Sequence, residues 1–256
     1  MNQETLRPGL VSVTFRKRAP ENIVKLCRRA GLESIEWGGD VHVPHGDLSA
    51  ARDVRRLTES ENLRTAAYGS YYRAGSSEAE GLSFDSVLAT AVELNAPTIR
   101  VWPGRVGPAR ASDDDWRRTT DDLLRIADVA ASAKITISLE HHRDTLTETL
   151  DSMDRILREC DHPNLFTLWQ PPHVESLDHN VESLRRVLPR LTNVHVFHWR
   201  LPDLDRRPLA EGEPRWQRYL EVLRADARPR ELLLEFVRED SEDQLLRDGA
   251  TLREWL

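Results

Sequence analysis

Acidic and imidazole side chains stand at or near the ends of several short apolar runs in this chain. The run TISLE ends in Glu140, the run LLLE ends in Glu235, and His195 lies within NVHVFHW. Carboxylates that close apolar runs need a partner, because burying an unpaired charge is costly. A divalent cation is one such partner, and two carboxylates would make its ligand shell formally neutral. The competing interpretation is that these are unrelated polar residues on a solvated rim.

A fourth candidate ligand follows the run LFTLWQ, which ends in Gln170. Its side-chain carbonyl oxygen could join Glu140, His195 and Glu235 around one ion. Such a ligand set suits Mn²⁺, Mg²⁺, Co²⁺ or Zn²⁺ and does not select among them. Gln170 could equally bind a substrate through hydrogen bonds without touching a metal.

Aromatic residues also lie near the ends of these short apolar runs. Four of the seven tryptophans lie near the ends of apolar runs, and Trp37, Trp102 and Trp169 are three of them. Indole rings pack on the apolar C–H faces of sugars and shield a pocket from water. We therefore expect these three indoles to line a pocket for a small sugar or sugar-like substrate.

Eight such runs alternate with segments of helical periodicity. The runs are LVSVTF (10–15), ESIEW (33–37), TAAYGS (65–70), TIRVW (98–102), ITISLE (135–140), LFTLWQ (165–170), NVHVFHW (193–199) and ELLLEF (231–236). Helical segments are expected at 20–30, 48–62, 83–95, 112–130, 146–160, 178–189, 214–225 and 242–255. The first opens at Pro20 and closes at Gly31, and the fourth begins at Ser112 before three acids, as helix ends prefer.

Strands that alternate with helices in this way predict an α/β fold, a parallel sheet closed into a (β/α)₈ TIM barrel. One domain over residues 1–256 agrees with the length of about 250 residues that is usual for this fold. An open doubly wound sheet is less favoured, because WGGD (37–40) is not a GxGxxG phosphate-binding motif. In a barrel of this type the catalytic residues gather where the strands end. The candidate side chains would then meet at one end of the barrel, the mouth formed by the carboxyl ends of the strands.

Composition narrows the classes of partner. The chain has 36 Lys and Arg against 43 Asp and Glu, a formal charge of -7, which disfavours nucleic acid as a partner. Two cysteines are too few for a disulfide scaffold, and no apolar run approaches the length of a membrane span. The start MNQETLRPGL lacks the pattern of a secretory leader. We expect a cytoplasmic protein without a membrane partner, with a homodimer as the common default.

Several motifs resemble the sugar phosphate isomerase/epimerase family of the xylose isomerase-like TIM barrel superfamily. The resemblance covers essentially the whole chain. Its strongest motifs are ESIEWGGDVHVPHGD (33–47), YGSYYRAG (68–75), IRVWPG (99–104), ISLEHHRDTLTET (137–149), LWQPPH (168–173), NVHVFHW (193–199) and LLEFVRED (233–240).

The resemblance implies one divalent metal held by Glu140, position 170, His195 and Glu235, and Gln170 stands where the family has Asp. It also implies proton transfer on a small ketose or related polyol through an enediolate, with Glu140 and Glu235 as the acid–base pair. The protein would then be an isomerase, either a sugar epimerase or an aldose–ketose isomerase. His173 matches a family histidine that contacts the substrate, and His198 stands where the family's HxxD motif has Asp.

The other expected substrate contacts come from polar side chains on the loops that follow the strands. These are His142, Arg143, His173, His198 and Arg200.

Two other functions stay open at this point. A barrel glycoside hydrolase could use the same two glutamates, although it would leave His195 and Gln170 without a role. A metal-free sugar-binding or partner subunit of the same fold is suggested by Gln170 in place of an acid. A Schiff-base aldolase is disfavoured, because none of Lys17, Lys25 and Lys134 lies at a desolvated strand end.

Overall fold

The computed structural model describes residues 5–256. Eight parallel strands form a barrel: β1 (Leu6–Val11), β2 (Ser34–Gly38), β3 (Arg64–Ala74), β4 (Thr98–Pro103), β5 (Thr136–Leu139), β6 (Leu165–Trp169), β7 (Leu191–Val196) and β10 (Arg230–Leu234). The barrel is closed, with the strands in the order β1-β10-β7-β6-β5-β4-β3-β2. This confirms the predicted (β/α)₈ barrel.

A helix follows each barrel strand. The helices are α1 (Pro20–Ala30), α2 (Leu48–Ser60), α3 (Phe84–Glu93), α4 (Asp113–Ser132), α5 (Leu150–Glu159), α6 (Leu177–Val187), α7 (Glu213–Asp226) and α8 (Glu242–Trp255). Between β7 and α7 the chain also forms an antiparallel hairpin of β8 (His198–Arg200) and β9 (Asp205–Arg207). No helix within residues 5–256 is long and apolar enough to cross a membrane.

The helix ends follow local chemistry. Gly31 ends α1 with a left-handed φ of 69°, a conformation that glycine adopts without a steric penalty. Ser112 and Asp115 form a reciprocal capping box at the start of α4, and the carboxylates of the first turn favour its positive end. These ends were expected from the sequence because a cap depends only on residues within one turn.

Apolar side chains fill two separate spaces. The large cluster packs the outer faces of the strands against the helices, and Ile23, Leu123 and Leu220 in it are fully buried. A small cluster of Val11, Ala66 and Leu233 comes from β1, β3 and β10. Because β1 and β3 are not neighbours in the sheet, these side chains meet across the barrel interior.

The first strand lies earlier than the sequence pattern predicts. LVSVTF (10–15) was expected to be a strand, but β1 ends at Val11 and residues 12–15 form a 3₁₀ helix. Ser12 Oγ accepts a hydrogen bond of 2.9 Å from the backbone N–H of Gly38. Pairing with β10 and β2 therefore sets the limits of this strand, and it overrides the local apolar pattern.

Candidate active site

Five buried ionisable side chains lie at the carboxyl ends of the barrel strands. Glu36 comes from β2, Arg100 from β4, Glu140 from the end of β5, His195 from β7 and Glu235 from the end of β10. None of the five residues is more than 6% exposed. The barrel thus gathers Glu140, His195 and Glu235 at one mouth, as the sequence predicted, together with Glu36 and Arg100.

These five side chains form a connected series of alternating charge. Arg100 Nε donates to Glu36 Oε1 at 2.7 Å, and another guanidinium nitrogen contacts the Glu140 carboxylate. His195 Nε2 lies 3.1 Å from Glu36 Oε2, and His195 Nδ1 lies 3.2 Å from Glu235 Oε2. We name this set the buried ion series. It links the two glutamates that the sequence singled out.

The charges in the series stabilise one another. Burial would raise the pKa of Glu36, but Arg100 and His195 lower it to about 2. Burial would lower the pKa of His195, but the Glu235 and Glu36 carboxylates raise it to about 10. Arg100 stays charged, because Glu140 and Glu36 raise its pKa well above the ordinary value despite its burial. Three carboxylates and two cations leave one excess negative charge at the mouth.

Three of the four predicted metal ligands have a buried oxygen or nitrogen atom without a hydrogen-bond partner. These atoms are Gln170 Oε1, His195 Nδ1 and Glu235 Oε2. The Gln170 amide is oriented by its Nε2, which donates to the carbonyl of His141 at 2.8 Å. His195 Nδ1 and Glu235 Oε2 are close but do not form a hydrogen bond. A separation of this size suits two ligands of one ion, since ligands about 2.1 Å from a metal lie about 3 Å apart.

By chemical type and by the 3.2 Å separation of His195 Nδ1 and Glu235 Oε2, these atoms could bind a divalent ion, which would replace a proton on His195. Glu140 differs, because its carboxylate is engaged by Arg100 and by the indole N–H of Trp102. Accordingly, within the part of the chain that the structure describes, no three His, Cys, Asp or Glu side chains are grouped to hold a metal ion. The residue at position 170 is glutamine, so it does not add a carboxylate to such a group.

Aromatic residues border the Glu140 side of the mouth. The Trp102 ring lies 4.5 Å from the His142 ring and 5.1 Å, edge-on, from the Tyr71 ring. Tyr71 reaches this position through an irregularity in β3, where its φ is 56° and the pairing with β4 shifts register. Its ring centroid lies 4.8 Å from the Arg100 guanidinium carbon. Trp102 and His142 are therefore at the mouth, as expected from the sequence.

Two predicted pocket residues face the other way. Trp37 is fully buried, and its Nε1 donates to Thr58 of α2 at 3.2 Å. Trp169 Nε1 donates to Ser183 of α6 at 2.9 Å. Both indoles therefore pack between the barrel and its helices and do not line the mouth. The reason is strand alternation: Glu36 points inward, so its neighbour Trp37 must point outward.

The remaining predicted contacts surround a cavity of about 330 Å³ beside the mouth, between the segments that follow β6 and β7. Its lining includes His173, His198, Trp199 and Arg200. The His173 ring stacks on Trp199 with centroids 4.6 Å apart. Burial lowers the pKa of His173, and the positive charges of Arg143 and His142 lower it further. The cavity adjoins the mouth because its lining residues 171–175 and 197–201 directly follow β6 and β7.

Arg143 lies on the loop after β5 with its side chain 80% exposed, and it forms only a 3.7 Å pair with Asp144. Its predicted contact with substrate stays a prediction.

Glu36 and Arg100 belong to the buried ion series but are not among the site residues that we predict from the sequence. Both stand in short apolar runs, ESIEW and TIRVW, which is the signal that identified Glu140 and Glu235. That signal does not tell which charges will pair, because Glu36 and Arg100 are separated by 64 positions.

Comparison with known proteins identifies the family. The chain belongs to the xylose isomerase-like TIM barrel family, whose model matches residues 24–255. A 3-dehydroshikimate dehydratase of Bacillus anthracis is 32% identical over 203 residues, which cover 74% of this chain and 71% of that protein.

Two solved structures share the fold over nearly their whole length. The probable 3-DHS dehydratase of Bacillus anthracis has a TM-score of 0.80 at 20% identity and covers 96% of this chain and 98% of its own. A D-psicose 3-epimerase of Clostridium cellulolyticum H10 has a TM-score of 0.76 at 15% identity, with coverage of 97% and 98%. The named proteins are enzymes, and they include both dehydratases and epimerases.

Proposed function

We propose that this protein is a metal-dependent enzyme that removes a proton beside the carbonyl of a polyhydroxylated ketone and then eliminates water. The observation that carries this proposal is the unequal state of the two glutamates. The Glu140 carboxylate is engaged by Arg100 and Trp102, whereas Glu235 Oε2 has no hydrogen-bond partner. Glu235 Oε2 lies 3.2 Å from His195 Nδ1 but accepts no hydrogen bond, so of the two glutamates we assign Glu235 as the base.

One free carboxylate is sufficient for loss of water. Glu235 takes the proton from the carbon beside the carbonyl and, now a carboxylic acid, returns it to the hydroxyl that departs from the next carbon on the same face. The C–H and C–O bonds break, a C=C bond forms, and water leaves. A divalent ion held by Gln170, His195 and Glu235 would polarise the substrate carbonyl and so make the neighbouring C–H more acidic.

The other residues of the mouth orient the substrate. His142 Nδ1 donates to the carbonyl of Arg143 at 2.6 Å, which leaves Nε2 to accept a hydrogen bond from a substrate hydroxyl. Trp102 offers an aromatic face beside it. His173, His198 and Arg200 on the adjoining cavity would contact the far end of the substrate.

Epimerisation, the reaction that the sequence resemblance implied, is the second candidate. It requires a proton to return on the opposite face, and therefore a second carboxylate at the mouth. Glu140 is that carboxylate by position and burial, although its hydrogen bonds must first be released. The name of the 32% identical relative, a dehydratase, supports elimination over epimerisation.

The test is an assay of the purified protein with Mn²⁺ and two substrates, 3-dehydroshikimate and D-psicose. We expect a product that has lost one water from the first, detected by mass spectrometry, and no epimer of the second. An epimer that carries deuterium from D₂O would support the two-carboxylate reaction instead. If Mn²⁺ changes neither the melting temperature nor any turnover, the metal-dependent proposal is wrong.

Glu235→Gln tests the base directly. Removal of the carboxylate should lower the rate of water loss by about 10²–10⁴-fold, the usual contribution of a general base. Glu221→Gln on the exposed face of α7 is the matched control and should retain the wild-type rate. If both variants are correctly folded by circular dichroism and have equal rates, Glu235 is not the base.

A further inference from the structure

We infer that Glu36 is a positioning residue that holds His195 through Nε2 and thereby makes Nδ1 the nitrogen that binds a divalent ion. This inference rests on the proposed function, because it takes His195 as a metal ligand. Glu36 lies on β2, on the opposite side of the imidazole from Glu235. It would contact neither the ion nor the substrate.

The two oxygens of Glu36 have separate partners. Oε1 accepts a hydrogen bond from Arg100 Nε at 2.7 Å, and Oε2 lies 3.1 Å from His195 Nε2. A carboxylate paired with a buried guanidinium is ionised, and an ionised carboxylate can only accept hydrogen bonds. Nε2 of His195 must therefore carry the proton. When a divalent ion replaces the second proton of His195, the N–H on Nε2 remains and Nδ1 is the nitrogen that supplies a lone pair.

The surroundings of Nδ1 agree with this assignment. Nδ1 is buried, has no hydrogen-bond partner, and lies beside the unpartnered Oε2 of Glu235. Histidines that bind metals usually donate their other N–H to a carboxylate or a carbonyl, which fixes the ring and raises the basicity of the ligating nitrogen. Glu36 supplies this acceptor here.

Packing confines Glu36 to this arrangement. The residue is 1% exposed and pairs with Ala67 of β3, and Gly69 of the same strand lies beside its carboxylate. A Cβ at Gly69 would lie 2.9 Å from Glu36 Oε1 and 2.6 Å from Arg100 Nη2. A larger residue at position 69 would therefore displace the pair, so the close approach of the β3 backbone holds the Glu36 carboxylate towards His195.

Glu36→Gln tests the role, with Glu231→Gln as the matched control. Glu231 lies on β10, near the opposite end of the barrel, and is also buried. It accepts from Ser34 Oγ at 2.8 Å and pairs with Arg7 at 3.0 Å. Both variants thus remove one buried charge from an arginine pair, but only Glu36→Gln replaces the carboxylate behind His195 with a neutral amide.

The first measurement is titration of each metal-free protein with Mn²⁺ or Zn²⁺ alone in a calorimeter. Glu36→Gln should weaken binding of the ion by about 10–100-fold, as removal of a carboxylate behind a ligating histidine does. Glu231→Gln should bind the ion as tightly as the wild type. If Glu36→Gln binds the ion as tightly as the control, Glu36 has no positioning role.

The second measurement needs no variant of Glu36. The ¹⁵N spectrum of histidine-labelled, Zn²⁺-loaded wild-type protein reports which ring nitrogen of His195 carries a proton, and the signal is assigned by its loss in His195→Gln. A proton on Nε2 supports the inference, and a proton on Nδ1 overturns it, even if Glu36→Gln does not fold. If the wild type binds no ion, both the inference and the metal-dependent proposal are wrong. If the wild type binds and Glu36→Gln is unchanged, only the inference fails.

Discussion

Arg100 pairs with two buried carboxylates at the mouth of the barrel. Its guanidinium is buried between Glu36 and Glu140, two carboxylates that would otherwise face each other away from water. Pairing in the interior compensates the cost of removing each charge from water, but only while all partners are present. The arginine therefore holds the two acids in place.

Arg100→Leu should lower the free energy of unfolding by about 3–5 kcal/mol, because it leaves buried carboxylates without a partner. Urea denaturation measures the change. Arg117→Leu is the control, since Arg117 pairs with Asp114 on the exposed surface of α4 and should change stability by no more than about 0.5 kcal/mol. Equal losses for the two variants would mean that the buried ion series does not stabilise the fold.

At the scale of elements, one aspartate ties the segment after β9 to the last helix. Asp248 of α8 accepts from the backbone N–H of Leu209 at 2.9 Å and from Gln244 at 2.7 Å. The short 3₁₀ helix Leu209–Gly212 then packs against His198, since a Cβ at Gly212 would lie 2.8 Å from that ring. The wall of the cavity beside the mouth is thus anchored from α8.

Burial raises the pKa of Asp248 above its ordinary value of 3.8, so the folded state holds this proton more tightly than the unfolded state. The free energy of unfolding should then fall as pH rises from 3.8 through the folded pKa. Asp248→Asn cannot titrate and retains an acceptor oxygen. Denaturation at about pH 4 and about pH 7 should show this variant gaining stability relative to the wild type at the higher pH. A difference that does not depend on pH would contradict the assignment.

At the scale of the whole molecule, closure of the barrel requires close approach at β1. This strand lies between β10 and β2, and Gly9 pairs with Leu233 on one side and Ser34 on the other. A Cβ at Gly9 would lie 2.4 Å from Ser34 Oγ and 2.5 Å from Leu233 Cδ2. No side chain fits there without movement of the neighbouring strands.

Gly9→Ala should therefore lower the free energy of unfolding by about 1–3 kcal/mol, the usual cost of overpacking a core. Thermal denaturation measures the loss, and the ion affinity of the folded variant should stay that of the wild type because Gly9 does not touch the mouth. An unchanged melting temperature would show that β10 and β2 can move apart around position 9 without loss of stability.

The sequence by itself determined the features that depend on neighbouring residues. Apolar periodicity and helix caps such as Gly31 and Ser112 each depend on residues within one or two turns, so the helices and the (β/α)₈ barrel could be predicted. The acids Glu140 and Glu235 were recognised for the same reason, since each closes an apolar run.

Only the tertiary structure decided which face each side chain presents and which charges meet. Trp37 was expected at the mouth, but adjacent residues of a strand point to opposite faces of the sheet. Glu36 points into the barrel, and Trp37 therefore packs against the helices. Contacts of Arg100 with Glu36 and Glu140 join residues on three strands, and they exist only once the barrel has closed. Local patterns carry no information on such pairs, because the free energy of pairing depends on burial and distance between segments far apart in the chain.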